Sequence, residues 1–366
     1  MKKNIVKGAV RQGANVFATL SLSVLASTLI VQLPAYAGGT IKIGESKSFT
    51  VGAGLRTSLV VNKGGDDKAV DFGIESMRLY TGAQLSKELK FTFNSEIQNA
   101  AADGSQMRIL DVIAQFEPAE TFNVWMGRFL PPSDRSNFNG PYYLSTWEFP
   151  GVAQRYPALF AGRDDGLAVW GQTGGGQFKY QVGVFEGTEG APNKDDAPLF
   201  SGRLTYNFWE PEPGYYNSSS YYGTKDVLAI GAVVMQQADF TRNNSGGTED
   251  FSGWNVDFLM EKKLTDGAAV TVEGAFYGYD TNGADLVRDG ESYLVSLAYL
   301  LPNKTGLGRV QPVARFQSFS PDKGDSIDQW DVGMNYIVDG HNARFSFILT
   351  ESDEDQYGIF GIQLQI

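Results

Sequence analysis

Apolar and polar residues alternate with a period of two along nearly the whole chain beyond residue 38, and no helical period competes with it. From Phe49, one face carries Phe49, Val51, Ala53, Leu55, Leu59 and Val61, and the other Thr50, Gly52, Gly54, Arg56 and Ser58. Leu89, Phe91, Phe93 and Ile97 oppose Lys90, Thr92, Asn94, Glu96 and Gln98 in the same way. So do Trp254, Val256, Phe258 and Met260 against Asn255, Asp257 and Glu261, and Trp330, Val332, Met334 and Tyr336 against Gln329, Asp331 and Asn335. Sixteen such segments are predicted as strands: 48–61, 72–85, 88–99, 106–117, 121–130, 165–172, 176–187, 197–209, 226–238, 251–264, 267–280, 290–302, 307–320, 326–338, 341–351 and 355–366.

Length decides what these strands build. Most run 11 to 14 residues, whereas strands of soluble domains average about 5–6 and a tilted membrane-spanning strand needs about 9–11. An even count lets a sheet close with antiparallel neighbours throughout. The connections also alternate. Ser86-Lys87, Thr173-Gly174-Gly175, Thr265-Asp266 and Asp339-Gly340 are tight turns after even-numbered strands, while the longer polar connections 62–71, 99–106, 131–164, 188–196, 239–250 and 281–289 follow odd-numbered ones. Short turns at one rim and long loops at the other mark an outer-membrane barrel. Residues 210–225 break the rule: they follow strand eight and should be short, so either a strand pair is miscounted there or one turn is unusually long. The chain ends on a strand, with Phe360, Ile362, Leu364 and Ile366 alternating with Gly361, Gln363 and Gln365; a terminal Ile stands where such barrels usually carry an aromatic residue. The predicted fold is therefore an all-β, 16-stranded antiparallel transmembrane β-barrel.

Residues 1–37 are set apart as a signal peptide, with 38–366 as the barrel. Lys2, Lys3, Lys7 and Arg11 form a positive start, Phe17–Val31 an apolar stretch, and Ala35-Tyr36-Ala37 a small-residue cleavage site. The signal holds four of the 30 Lys+Arg and none of the 42 Asp+Glu, which leaves the rest of the chain at −16. So acidic a chain does not suit nucleic acid, which needs a basic stripe. The chain has no cysteine, which excludes a disulfide scaffold, a zinc–thiolate site and a Cys nucleophile. Glycine is abundant at 43 residues and aromatics make up 13 %, yet the mean hydropathy is negative. That mixture fits strands whose two faces differ in character.

In lipid every backbone polar group needs a partner, so a spanning sheet must close. Sixteen strands enclose more space than wall side chains fill, which leaves an aqueous lumen. The polar face carries the candidate pore-lining cations Arg56, Arg78, Lys90, Lys179, Arg203, Arg315 and Arg344 and the acids Glu96, Asp111, Asp257, Glu273 and Asp331. Buried dry, such charges would be prohibitively costly; in a wet lumen they are not. The connection 131–164 is the candidate constriction, because a loop of this length without regular structure is usually functional. Its aromatics Phe138, Tyr142, Tyr143, Trp147, Phe149, Tyr156 and Phe160 need something to pack on, and folding inward would bring Asp134, Arg135, Glu148, Arg155, Arg163, Asp164 and Asp165 to the pore. Folded outward, the same loop would be a lid or subunit latch whose charges pair among themselves.

Four stretches carry a family resemblance: RLYTGAQLSKELKFTFNSEI at 78–97, VWMGRFLPP at 124–132, PVARFQSF at 312–319 and DVGMNYIVDGHNARFSFIL at 331–349. With these the chain resembles the phosphate-selective porins of O and P type. The resemblance implies passive solute uptake across a bacterial outer membrane, homotrimers, and an inward-folded loop after strand five. It does not carry anion selectivity with it. Arg56, Arg78, Arg203 and Arg315 are candidates for the basic row of phosphate-selective members, but lumen acids are about as numerous, and a mixed ring predicts weak preference. Relatives that pass short neutral amides fit the lining equally well. The expected partners are outer-membrane lipid, small hydrophilic solutes or ions, and two further copies of the chain.

No catalytic set emerges. His341, the only histidine, lies beside the Asp339-Gly340 turn, away from any nucleophile. One His and no Cys do not make a transition-metal site, Asp66-Asp67 and Asp164-Asp165 read as loop charges rather than calcium ligands, and Gly174-Gly175-Gly176 is a turn without the Lys-Ser/Thr of a phosphate loop. The expectation is a porin without cofactor or enzymatic activity; the alternative is a non-channel surface barrel, adhesin-like, with residues 131–164 plugging the lumen.

Overall fold

A computed structural model describes residues 38–62, 70–97, 107–155, 162–189, 193, 196–243, 245–285, 288–353 and 355–366. Residues 1–37, expected from the sequence to be a signal peptide, the Asp66-Asp67 pair and Tyr156 and Phe160 of the long loop lie outside the described residues.

The strands are β1 (Gly39–Ile43), β2 (Lys47–Asn62), β3 (Val70–Gln84), β4 (Leu89–Ile97), β5 (Met107–Ala119), β6 (Phe122–Phe129), β7 (Asp164–Thr173), β8 (Phe178–Phe185), β9 (Leu199–Asn207), β10 (Val227–Arg242), β11 (Thr248–Lys263), β12 (Ala269–Asp280), β13 (Gly290–Leu300), β14 (Arg309–Pro321), β15 (Ile327–Asp339), β16 (Ala343–Ser352) and β17 (Gln356–Gln365), with one short helix, α1 (Arg135–Asn139). From β2 onward each strand pairs antiparallel with the next, and β17 returns to β2 in the register Gln365↔Gly54 to Tyr357↔Asn62. Sixteen strands thus close into a barrel with no free edge. The seventeenth, β1, was not predicted from the sequence. Its register, Gly39↔Val51 to Ile43↔Lys47, places it on β2 just beyond the point where Ile366 bonds Ala53, so it extends the lane of β17.

Burial is inverted relative to a soluble protein. Over 229–238 of β10 and 344–351 of β16 buried and exposed residues alternate, and most of the exposed ones are apolar. Phe72 is 77 % and Trp330 54 % exposed, while Arg344 and Glu261 are 0 %. An outward face of Val, Leu, Phe and Trp is unfavourable in water and suited to lipid.

The connections keep the predicted asymmetry at the described turns 174–177, 264–268 and 340–342. The exception at 210–225 is resolved. No strand pair is missing: β9 ends at Asn207, β10 begins at Val227, and the intervening chain, on the tight-turn side, is long and largely buried.

Candidate functional site

Residues 130–155 leave β6 and bond to side chains on the polar face of nine strands. The Asp134–Asn139 stretch meets one part of the wall: Arg203 Nη1 of β9 donates to the Ser133 carbonyl at 3.1 Å, the Arg135 amide donates to Asp257 of β11 at 3.1 Å, and Ser136 Oγ donates to Glu273 of β12 at 3.0 Å. Tyr279 of β12 and Ser292 of β13 both donate to the Ala153 carbonyl, at 2.8 and 2.7 Å. Further along, Arg315 of β14 donates to Glu148 O (2.8 Å), Asn335 of β15 to Ser145 O (2.9 Å), Arg344 of β16 to Leu144 O (2.6 Å) and Gln363 of β17 to Tyr142 O (2.9 Å). Arg56 of β2 donates to Trp147 O and lies 4.0 Å from the Trp147 ring centre. Guanidinium and amide groups bond loop carbonyls readily because they bring several donors in a fixed plane. The close approach has a sequence cause on β17: a Cβ on Gly361 would come 2.6 Å from the Trp147 ring.

Several of the charges named from the sequence are drawn into pairs. Arg203 holds Asp257 with two bonds of 2.5 and 2.8 Å, Arg78 holds Glu96 at 2.7 Å, Arg315 holds Asp331 at 2.8 Å, and Lys90 holds Glu117 at 2.5 Å. Arg163 donates to Asp111 at 2.7 Å, and Arg155 lies over the Phe319 ring at 4.7 Å. Lys179 donates to the Gly214 and Tyr216 carbonyls at 3.2 and 3.3 Å. Asp134 accepts from Gln154 at 2.6 Å and from the Tyr277 hydroxyl at 3.1 Å; burial, and then nearby Asp257, push its carboxyl up to about 6. Two named acids stand apart. Asp164 and Asp165 open β7, where Asp164 accepts from the Gly187 amide, and Asp165 pairs bidentately with half-exposed Arg128 at 2.6 Å on the opposite face from Asp164.

The sequence did not single out residues 208–226 as a partner of this loop. Arg135 of α1 grips Glu212 with bonds of 2.8 and 2.7 Å and donates to Ser218 O at 2.7 Å. Burial alone would raise the Glu212 carboxyl, but the guanidinium outweighs it and holds the group at about 2. Tyr215 stacks on Trp125 of β6 with centres 4.5 Å apart, and Trp170 of β7 meets the same ring edge-on. Glu75 was also missed. The β2–β3 register slips between Arg56 and Thr57, so Glu75 is an extra residue, and it accepts from Trp147 Nε1 at 2.8 Å. The signal was present: outward residues Phe72 and Ile74 are even-numbered, Met77 and Leu79 odd-numbered.

His341 is a turn residue, as expected, but a buried one. Its Nε2 lies 2.8 Å from Ser220 O and its ring touches Tyr143 and Tyr222. Burial, with Arg344 adding to it and the Ser220 carbonyl opposing, pushes its pKa down to about 4. Between pH 6.5 and 4 the unfolded chain therefore binds the proton and the folded chain does not, so stability falls as the pH drops. Asp134, raised, works in the opposite sense between pH 6 and 3.8. His341→Gln is expected to reduce the acid-side loss of melting temperature between pH 6.5 and 4; a slope equal to that of the unsubstituted protein would contradict the assignment.

A sequence profile of the family described as phosphate-selective porin O and P matches residues 58–285, more than half of the chain. The chain belongs to that family. No curated protein matches it. Several solved porin-type barrels share the fold at low identity. OmpF of Salmonella typhi superposes with a TM-score of 0.62 at 10 % identity, covering 90 % of this chain and 100 % of that one. An anion-selective porin from Comamonas acidovorans gives 0.58 at 12 %, covering 87 % and 100 %. OmpT, an outer membrane protein of Vibrio cholerae in trimer form, gives 0.58 at 15 %, covering 88 % and 100 %. The chain is thus an outer-membrane porin, a passive-diffusion channel.

Proposed function

We propose that this porin passes ions and small hydrophilic solutes with weak preference of either sign, that residues 131–164 fold inward as its constriction, that it works as a homotrimer without catalysis, and that residues 1–37 are its cleaved export signal. The observation that carries the constriction is the run of hydrogen bonds from residues 130–155 to strands β2, β9 and β11–β17. A segment bonded to the polar face on so much of a closed wall narrows what that wall encloses. Weak selectivity follows from pairing: Arg203 with Asp257, Arg78 with Glu96 and Arg315 with Asp331 present dipoles rather than a single-sign ring. The trimer rests on the family and on the trimer form of the Vibrio cholerae relative.

Planar-bilayer reconstitution tests the reading. Stepwise conductance is expected, with a reversal potential near zero in a salt gradient; absence of steps would overturn it. The surface-barrel reading keeps one observation in its favour, the apolar cluster of Trp125, Phe129, Phe138, Trp170, Phe185 and Tyr215 on the inner side. It predicts silence in the same bilayer.

A further inference from the structure

A cavity of about 380 Å³ opens where the two inner segments face β3 and the 340–342 turn, and its lining combines two chemistries. Phe138, Tyr143, Tyr216 and Tyr221 contribute ring surface, while Arg78, Arg163 and Lys225 contribute positive charge. Among the described residues the lining holds one acid, Glu212, and Arg135 already grips it bidentately. The carboxylates that orient the two arginines, Glu96 and Asp111, take up the Nε of each and are not part of the lining. Arg78 and Arg163 line the same cavity, and an anion received between two like charges relieves their repulsion. Asn217 adds an amide whose Nδ2 and Oδ1 are both buried in the lining without a hydrogen-bond partner among the described residues. Such a group is costly unless something bonds to it. The segment is held against the barrel here by close contact: Gly176, at φ +101°, has the Glu212 carbonyl where a Cβ would stand, 2.7 Å away.

We propose that this cavity is a solute-binding site for small aromatic carboxylates, with the ring against the tyrosines and the carboxylate received by Arg78, Arg163, Lys225 and the Asn217 amide. The volume suits one ring-sized acid, and ring faces beside guanidinium and ammonium groups bind a flat anion better than either element alone. The proposal rests on the channel reading for its role in transport, but the binding itself does not require conduction.

The probe is benzoate, with acetate, inorganic phosphate and benzyl alcohol as controls, measured two ways on the full-length protein. Calorimetry on detergent-solubilised barrel is expected to show one benzoate per chain, bound at least about tenfold more tightly than acetate, phosphate or benzyl alcohol. In the bilayer, benzoate is expected to block the current saturably. Asn217→Ala, which removes no hydrogen bond made within the described chain, is expected to weaken benzoate about tenfold; Lys225→Gln is expected to weaken it in the same direction. Equal binding of acetate or phosphate would reduce the site to a general anion site, and equal binding of benzyl alcohol to an apolar one; either result, or no binding, overturns the proposal. Benzoate binding without any conductance would leave the site standing and sink the channel reading instead.

Discussion

Replacing residues 133–155 with a short glycine–serine linker is expected to raise the single-channel conductance several-fold while leaving the barrel folded. The barrel does not depend on this segment for closure, because each of the sixteen wall strands is paired on both sides by its neighbours, β17 with β2 included. Under the proposed constriction the segment occupies space inside the wall. It carries the helix α1 and the buried side chains of Phe138, Tyr142, Leu144 and Trp147, and it covers carboxylates and guanidiniums from β9 round to β2. Removing it returns Arg203, Arg315, Arg344 and Arg56 to water, which a wet lumen tolerates. The surface-barrel alternative makes a different forecast for the same variant, in which a silent protein becomes conductive. An unchanged conductance would contradict both and place the narrowest point elsewhere, on residues 208–226.

The second large effect concerns stability. Asp257 accepts two bonds from Arg203 and one from the Arg135 amide, and all three residues are almost fully buried. Asp257→Ala leaves two guanidiniums facing each other without the carboxylate between them, and breaking a buried pair from one side costs about 3–5 kcal/mol. Asp257→Asn keeps an acceptor and is expected to cost less. Urea unfolding of the protein from lipid vesicles, followed by tryptophan emission, reads both. A cost below about 1 kcal/mol for the alanine variant would show that lumen water replaces the carboxylate and that this corner is not a packed joint.

These effects bear on what the sequence disclosed. The sixteen wall strands were legible because alternation over 11 to 14 residues admits few other structures, and each observed strand overlaps its predicted segment. Alternation assigns a face, however, and not a partner. Arg203 and Asp257 were both placed on the inner face, but their pairing depends on residues 54 positions apart, and the Arg135–Glu212 grip on residues 77 apart, distances at which no local pattern reports. The length of residues 210–225 stands out in the sequence, but its cause, a turn-side segment bonded to the long loop, depends on contacts between residues far apart in the chain. Two local signals were available and unused. In β6 and β7 both faces are apolar, with Trp125 and Trp170 on the buried side, which indicates an apolar object inside. In β3 the outward phase changes parity at Glu75, the mark of a bulge. The strand β1 was missed because five residues are too few for an alternation to stand out.

The wall presents apolar side chains to lipid and polar ones to an enclosed interior. The chain has no cysteine, so single substitutions give unique labels. On β16, Phe345→Cys, Phe347→Cys and Leu349→Cys lie on the exposed face, and Ser346→Cys and Thr350→Cys on the buried one. With a small fluorophore on each thiol and brominated lipid in the vesicle, the first three are expected to be quenched and the last two are not. Quenching that fails to alternate, or that is strongest at Ser346 and Thr350, would contradict the inside-out barrel on which the channel depends.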